Sequence, residues 1–392
     1  MAVSLTSDYR KREESITISS EPTGEQHELM TLNIGPHHPA THGVLRLLCT
    51  LEGEVVRDIK PIIGYVHTGI EKTAEDKAYW KVIPVVERMD YLSYYFNAMA
   101  FCGAVETLLG VEVPPRAQYL RVIHMELNRI NSHLLWLATS MLDLGAISMF
   151  WYGFRERERI LDLFEMSSGQ RFHTRYIQVG GVMEDIPRGF TEKVRRFCAE
   201  MPGRVGQYLD LLEKNQIVVE RLRNTAVVSQ ERLLELGVTG PLLRASGNPW
   251  DLRKAAPYSS YDHFDFRIPV GTVGDNYDRF RVRMAEMYES VKIIEQALDA
   301  LPAGPILTEG SIGVKKRLKP PAGTLYYAVE SARGAYGIIL VSEGGTEPWR
   351  AKFRTPSYAN LAAMQDVMKG TMIADAVAIL GSVDVVMPEI DR

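Results

Sequence analysis

The chain has 392 residues, 46% hydrophobic and 24% charged, with a formal net charge of −4. This is globular composition with length for two or three domains, and the small net charge argues against a nucleic-acid binder, which carries a basic face. Three cysteines (Cys49, Cys102, Cys198) lie far apart with no CxxC, so neither a disulfide framework nor a zinc ribbon is expected, and a reducing compartment is the natural setting.

Residues 1–27 mix acids and bases without an apolar core and read as a flexible arm, neither a secretory signal nor a transit peptide. Residues 28–69 form the next part. "HELMTLNIG" and "GVLRLLCTLEGEVVRDIKPIIGYV" alternate apolar and polar around an "LEGE" turn, which predicts a small antiparallel sheet. Residues 70–304 carry helical periodicity, interrupted near Pro84, resumed by "VERMDYLS" at the opening of a second helix, and continued after "PPRAQ" by a long helix with proline in its first turn. "NYDRFRVRMAEMYESVKIIEQALDAL" is the last long helix, stopped at "LPAGP". Residues 305–392 bring strand-like runs (Thr324–Glu330, Tyr336–Ser342, Trp349–Thr355) split by glycine turns. The fold class is α+β multidomain: an N-terminal antiparallel β part, a central helical bundle and a C-terminal α/β part. Residues 134–154 are apolar apart from Asp143, but Gly145 follows the acid closely, so a buried helix and loop are expected rather than a membrane span.

Two places concentrate chemistry. "GPHHPATHGVLRL" sets His37, His38 and His42 in one turn. His38 and His42 have the spacing of a helical metal pair, but Pro39 disfavours helix at His38, and the turn holds no carboxylate. An imidazole presented to a cleft suits the turn better than a metal site, with a hydrogen-bonded turn histidine as the plain alternative. On the long helix, Glu126, Arg129, His133 and Ser140 fall within roughly 60° of arc. That is either a partly solvated face with a Glu–Arg pair worth a few tenths of a kcal/mol, favoured about two to one, or a buried polar seam for moving protons.

"LNIGPHHPATHGVLRL", "GYVHTGIEK", "ERMDYL", "LDLGA", "FRERERILDLFE", "QRFHTRYIQVGGV", "LRASGNPWDLRK" and "DRFRVRMAEMYESVKII" occur in that order. Together, from about residue 28 to the end, they resemble the 49-kDa (D) subunits of proton-pumping NADH:quinone oxidoreductase, respiratory complex I or NDH-1, a family related to nickel–iron hydrogenase large subunits. The resemblance implies a translocase component peripheral to the cytoplasmic face of the bacterial inner membrane. It implies a quinone pocket in which His42 and Tyr91 donate to the headgroup, Asp143 partners His42, and His38 and His133 serve as further pocket or relay groups. Arg88 and His173 match residues beside the last iron–sulfur cluster, held by a neighbouring subunit.

On the same resemblance the chain binds no cofactor itself. Quinone is substrate, while FMN, NADH and the iron–sulfur clusters belong to other subunits. The partners implied are the iron–sulfur subunit with the terminal cluster, a 30-kDa-type C subunit, a ferredoxin-like subunit and the H-type membrane subunit. A hydrogenase-like large subunit is the competing reading. It is disfavoured because Asp90, Ser93, Val386 and Glu389 stand where metal-binding cysteines would. A pure scaffold would have no need of His42, Tyr91 and Asp143. Departures from the family are Thr68 for a common arginine, Pro388 for a customary glycine, and a shortened segment, "GSIGVKKRLK", before residue 320.

Overall fold

The structure is a computed structural model and describes residues 29–38, 41, 43–308 and 318–392. The N-terminal arm, His42 and most of "GSIGVKKRLK" lie outside the described residues.

Strands β1 (Leu29–Ile34), β2 (Arg46–Glu52) and β3 (Val55–Ile62) form an antiparallel sheet in sequence order. In β2 the alternation is strict. Leu47, Cys49 and Leu51 point inward, and the chain turns at Gly53 in the left-handed region (φ 57°). Helices α1 (Ile70–Glu75) and α2 (Tyr79–Val86) follow. Pro84 lies inside α2 rather than breaking it; the ring forfeits one backbone bond, and the helix ends two residues later. "ERMDYLS" is then a turn over 87–93, not a helix opening, and α3 (Tyr94–Leu109) begins after it. The Asp90 carboxylate explains the difference. Its Oδ1 accepts from the backbone N–H of Leu92 and Ser93, both at 3.1 Å, so the side chain takes donors that a helix would use.

Helix α4 (Pro115–Asp143) opens on proline, and α5 (Ile147–Ser168) follows a three-residue break. The hairpin pair β4 (Ile177–Gln178) and β5 (Gly181–Val182) leads to α6 (Phe190–Glu213), α7 (Gln216–Leu222), α8 (Gln230–Glu235), α9 (Pro241–Ala245) and α10 (Leu252–Ala255). The last long helix, α11 (Asn276–Asp299), packs on α4 and α6. An antiparallel sheet of β6 (Gly323–Ser331), β7 (Gly334–Ser342) and β8 (Arg350–Arg354) comes next, followed by α12 (Pro356–Met368), α13 (Ala376–Val383) and α14 (Met387–Asp391). The molecule is thus mixed helix and sheet, and among the described residues no helix is long and apolar enough to cross a membrane.

Two apolar clusters organise it. One joins α2 to α6 and α11 with the β6–β8 sheet. The other packs Leu45, Leu47, Cys49 and Leu51 on Leu361, Met364, Ile379 and Leu380, so residues more than 300 positions apart share one core. That packing places the histidine turn against α13.

Candidate functional site

The histidine turn is held by short-range bonds. Thr41 Oγ1 donates to the carbonyls of His38 (2.9 Å) and Pro36 (3.2 Å), and Leu45 N–H donates to Thr41 O. Gly35 has φ 83°, and a Cβ there would sit 2.1 Å from Leu45 O. Only glycine meets both demands. A cavity of about 480 Å³ opens beside the turn, its wall mostly apolar. His37 and His38 stand at its edge, with Leu32, Leu47, Val377 and Leu380 among its lining. Both histidines are exposed.

Tyr91 lies half-buried on the 87–93 turn, and its hydroxyl makes no hydrogen bond to the described residues. Burial raises the phenol's pKa, Arg333 opposes the rise, and Asp90 and Asp384 add to it. The group therefore stays protonated near neutrality and can donate. Asp143 ends α4 at an exposed position. The cavity wall does not include Tyr91, Asp143 or His133.

His133 is fully buried, and its Nε2 meets Glu286 Oε2 at 2.8 Å. Burial lowers its pKa despite the carboxylate, so the ring is neutral at pH 7. Its face of α4 is not partly solvated, contrary to the favoured expectation. Glu126 and Arg129, 3.2 Å apart, are both fully buried. Glu126 also accepts from Arg253 (3.3 Å), Tyr261 (2.6 Å) and Ser290 (2.6 Å). Arg253 pairs with Asp251 at 2.7 Å, and Arg244 bridges Glu286 (2.8 Å) and Glu330 (2.7 Å). The periodicity placed the α4 face correctly but could not show that "LRASGNPWDLRK" would bring Arg253 to it and α11 would bring Glu286 and Ser290.

Arg88 and His173 come together. Burial first, then the Arg88 charge, depress the His173 imidazole. His173 and Arg175 both adopt positive φ (52° and 49°), and the buried Glu87 carboxyl accepts from Arg175 N–H at 3.0 Å. Burial pushes Glu87 up to about 8, with that N–H opposing the rise. Glu87 was missed in the sequence, although it adjoins Arg88 in "VERMDYLS".

The four positions compared with metal-binding cysteines are held otherwise. Arg333 Nη1 donates to Asp90 Oδ2 (3.1 Å) and Ser93 Oγ (3.2 Å). Glu389 Oε1 accepts from Ser357 N–H at 2.7 Å, and Val386 is buried. Among the described residues no group of three or more His, Cys, Asp or Glu is arranged to hold a metal ion.

The family model of the respiratory-chain NADH dehydrogenase 49 Kd subunit matches residues 143–314 and 311–392. The D subunit of NADH-quinone oxidoreductase from Geotalea uraniireducens is 46% identical over 386 residues, 93% of this chain and 99% of the relative. The Thermus thermophilus D subunit is 47% identical over 386 residues, covering 93% and 94%. The D 2 subunit of Solibacter usitatus is 48% identical over 363 residues, covering 93% and 97%. Similarity of this extent shows that the chain belongs to the 49-kDa subunit family of the respiratory-chain NADH dehydrogenases and is a component of an NADH-quinone oxidoreductase complex.

Proposed function

We propose that this chain forms the quinone-reduction pocket of its complex together with a neighbouring iron–sulfur subunit, and that it lies peripherally on the cytoplasmic face of a bacterial inner membrane. The observation that carries the reading is the apolar cavity of about 480 Å³ edged by imidazoles of the histidine turn. Such a cavity takes a flat apolar ring, and polar groups at its rim orient the two carbonyls. Reduction to quinol takes two electrons from outside the chain and two protons from within it. On this reading Tyr91 donates to one carbonyl, His42 to the other, and Asp143 stabilises a charged His42. His38 supplies a second imidazole at the rim. His133, buried with Glu286, belongs to the interior seam and serves as a relay group rather than a headgroup contact.

Arg88 and His173 face the partner's terminal cluster. The Arg88 charge, beside a His173 imidazole kept neutral by burial and by that charge, suits a site next to a group that becomes more negative on reduction. The chain itself holds no metal or flavin; FMN, NADH oxidation and the clusters belong to the rest of the complex, which includes C-type, ferredoxin-like and H-type membrane subunits. Coupling of quinone reduction to proton translocation is part of the same proposal. Photolabelling of the assembled complex with an azido-quinone is expected to mark the peptides containing residues 35–47 or 87–93. Label confined to other segments would contradict the pocket.

A further inference from the structure

The hairpin between β6 and β7 drives its tip into the protein interior. Arg333 lies at that tip, fully buried, with its carbonyl accepting from Asn360 Nδ2 at 3.4 Å. Gly240 passes so close that a Cβ would sit 2.4 Å from Arg333 O. The backbone of Arg333 is therefore held by contacts of its own, separate from those of its side chain.

The guanidinium uses its fork in two directions. Nη1 reaches Asp90 Oδ2 (3.1 Å), Ser93 Oγ (3.2 Å) and Ser132 Oγ (3.0 Å). Nη2 and Nε reach Asp384 Oδ1 (3.0 Å) and Asp384 O (3.1 Å). Asp384 is the C-cap of α13, in the left-handed region at φ 56°, where a non-glycine residue is strained unless held. On one side the clamp grips the residue before Tyr91; on the other it grips the end of the helix whose Ala376, Val377 and Leu380 wall the cavity.

We propose that Arg333 is a positioning residue for quinone reduction: it ties the 87–93 turn to the C-terminal end of α13 and so holds Tyr91 in register with the cavity wall. The chain of contact is short. Asp90 Oδ1 fixes the N–H groups of Leu92 and Ser93 immediately after Tyr91, and Arg333 fixes Asp90. Tyr91, lacking a hydroxyl bond to the described residues, takes its position from that backbone. A lysine has a point charge and no planar fork, so it cannot grip both carboxylates at once. This role for Arg333 rests on the proposed pocket.

The test is a double-mutant cycle in the assembled complex, reading quinone KM and kcat, with electron entry to an upstream artificial acceptor as the control for assembly. Arg333→Lys is expected to raise quinone KM about five- to twentyfold with kcat within about twofold, the pattern of lost binding geometry. Introducing Arg333→Lys into the Tyr91→Phe variant is expected to raise KM less than about twofold further, because coupled residues are not additive. Wild-type KM in Arg333→Lys, or a double variant whose KM change is the product of the single ones, overturns the clamp while leaving the pocket standing. Wild-type KM in Tyr91→Phe alone overturns the pocket and the clamp with it. If Arg333→Lys does not assemble, Asp384→Asn keeps the carbonyl acceptor and deletes one charge. Its KM is expected to rise about two- to fivefold and to be non-additive with Tyr91→Phe; an unchanged KM overturns the clamp.

Discussion

Glu126→Ala tests what the buried seam contributes. In the folded chain this carboxylate accepts from Arg129, Arg253, Tyr261 and Ser290, and no part of it reaches solvent. Burial alone would raise its pKa; the Arg129 and Arg253 charges, with the Ser290 and Tyr261 hydroxyls, hold it below the usual carboxylate range. Truncation leaves two buried guanidiniums facing each other with part of their compensation gone. Breaking a buried pair by removing one partner costs about 3–5 kcal/mol, and each stranded hydroxyl adds about 1–3 kcal/mol if it finds no other acceptor. Arg129 keeps the carbonyls of Glu330 and Ser331, and Arg253 keeps Asp251, so the lower part of the range applies to the charges. With about 3 kcal/mol from the charges and at least about 1 kcal/mol from each of the two hydroxyls, the expected loss is about 5 kcal/mol or more, a large share of the roughly 5–15 kcal/mol of a typical domain. Urea denaturation of the full chain followed by tryptophan fluorescence measures it. Glu126→Gln, which keeps the shape and one acceptor oxygen, should lie between the alanine variant and wild type. A loss below about 1 kcal/mol for Glu126→Ala would refute the reasoning, because that is the scale of a solvated pair.

Gly35→Ala puts a Cβ against the Leu45 carbonyl and a side chain at φ 83°; quinone titration of the assembled complex should show a raised KM, and denaturation a loss of about 2 kcal/mol or more. Glu389 and Glu87 are both raised to about 8 from an ordinary value of 4.5, Glu389 by burial first and then by Asp90, Glu87 by burial alone. Between those values the folded state holds protons that the unfolded chain has released. The stability these groups contribute is therefore complete below about pH 4.5 and is lost as pH rises through 8, with a slope of at most about 1.4 kcal/mol per pH unit per group. Denaturation midpoints across that window should flatten in Glu389→Gln and again in Glu87→Gln, and an unchanged slope would contradict the assignment. Elemental analysis of the purified chain should find no stoichiometric nickel, iron or zinc, since Arg333 binds Asp90 and Ser93 and the three cysteines are buried and free.

The strands were legible because alternation is a local signal: Leu47, Cys49 and Leu51 point inward as their spacing requires. The long helices were legible for the same reason, down to the proline at the start of α4. The turn carrying Tyr91 was not, because a helical pattern on both sides hides one carboxylate competing for two N–H groups. The seam was half legible. Glu126, Arg129 and His133 share a face by arithmetic, but whether that face meets water depends on Arg253, Arg244 and Glu286, which are distant in sequence. A signal did exist in α11, where Arg279, Arg283 and Glu286 recur at helical spacing and are all buried. Arg333 gave no periodic signal at all. It sits in a hairpin tip, and its role follows only from the tertiary meeting of Asp90 and Asp384.

Quinone kinetics of Tyr91→Phe in the assembled complex test the central claim most directly. The substitution keeps the ring and deletes the hydroxyl. Loss of one hydrogen bond worth about 1–3 kcal/mol predicts a fall in apparent quinone affinity of roughly five- to a hundredfold, with electron entry to an upstream acceptor unchanged. Wild-type quinone kinetics in a fully assembled Tyr91→Phe complex would contradict the account.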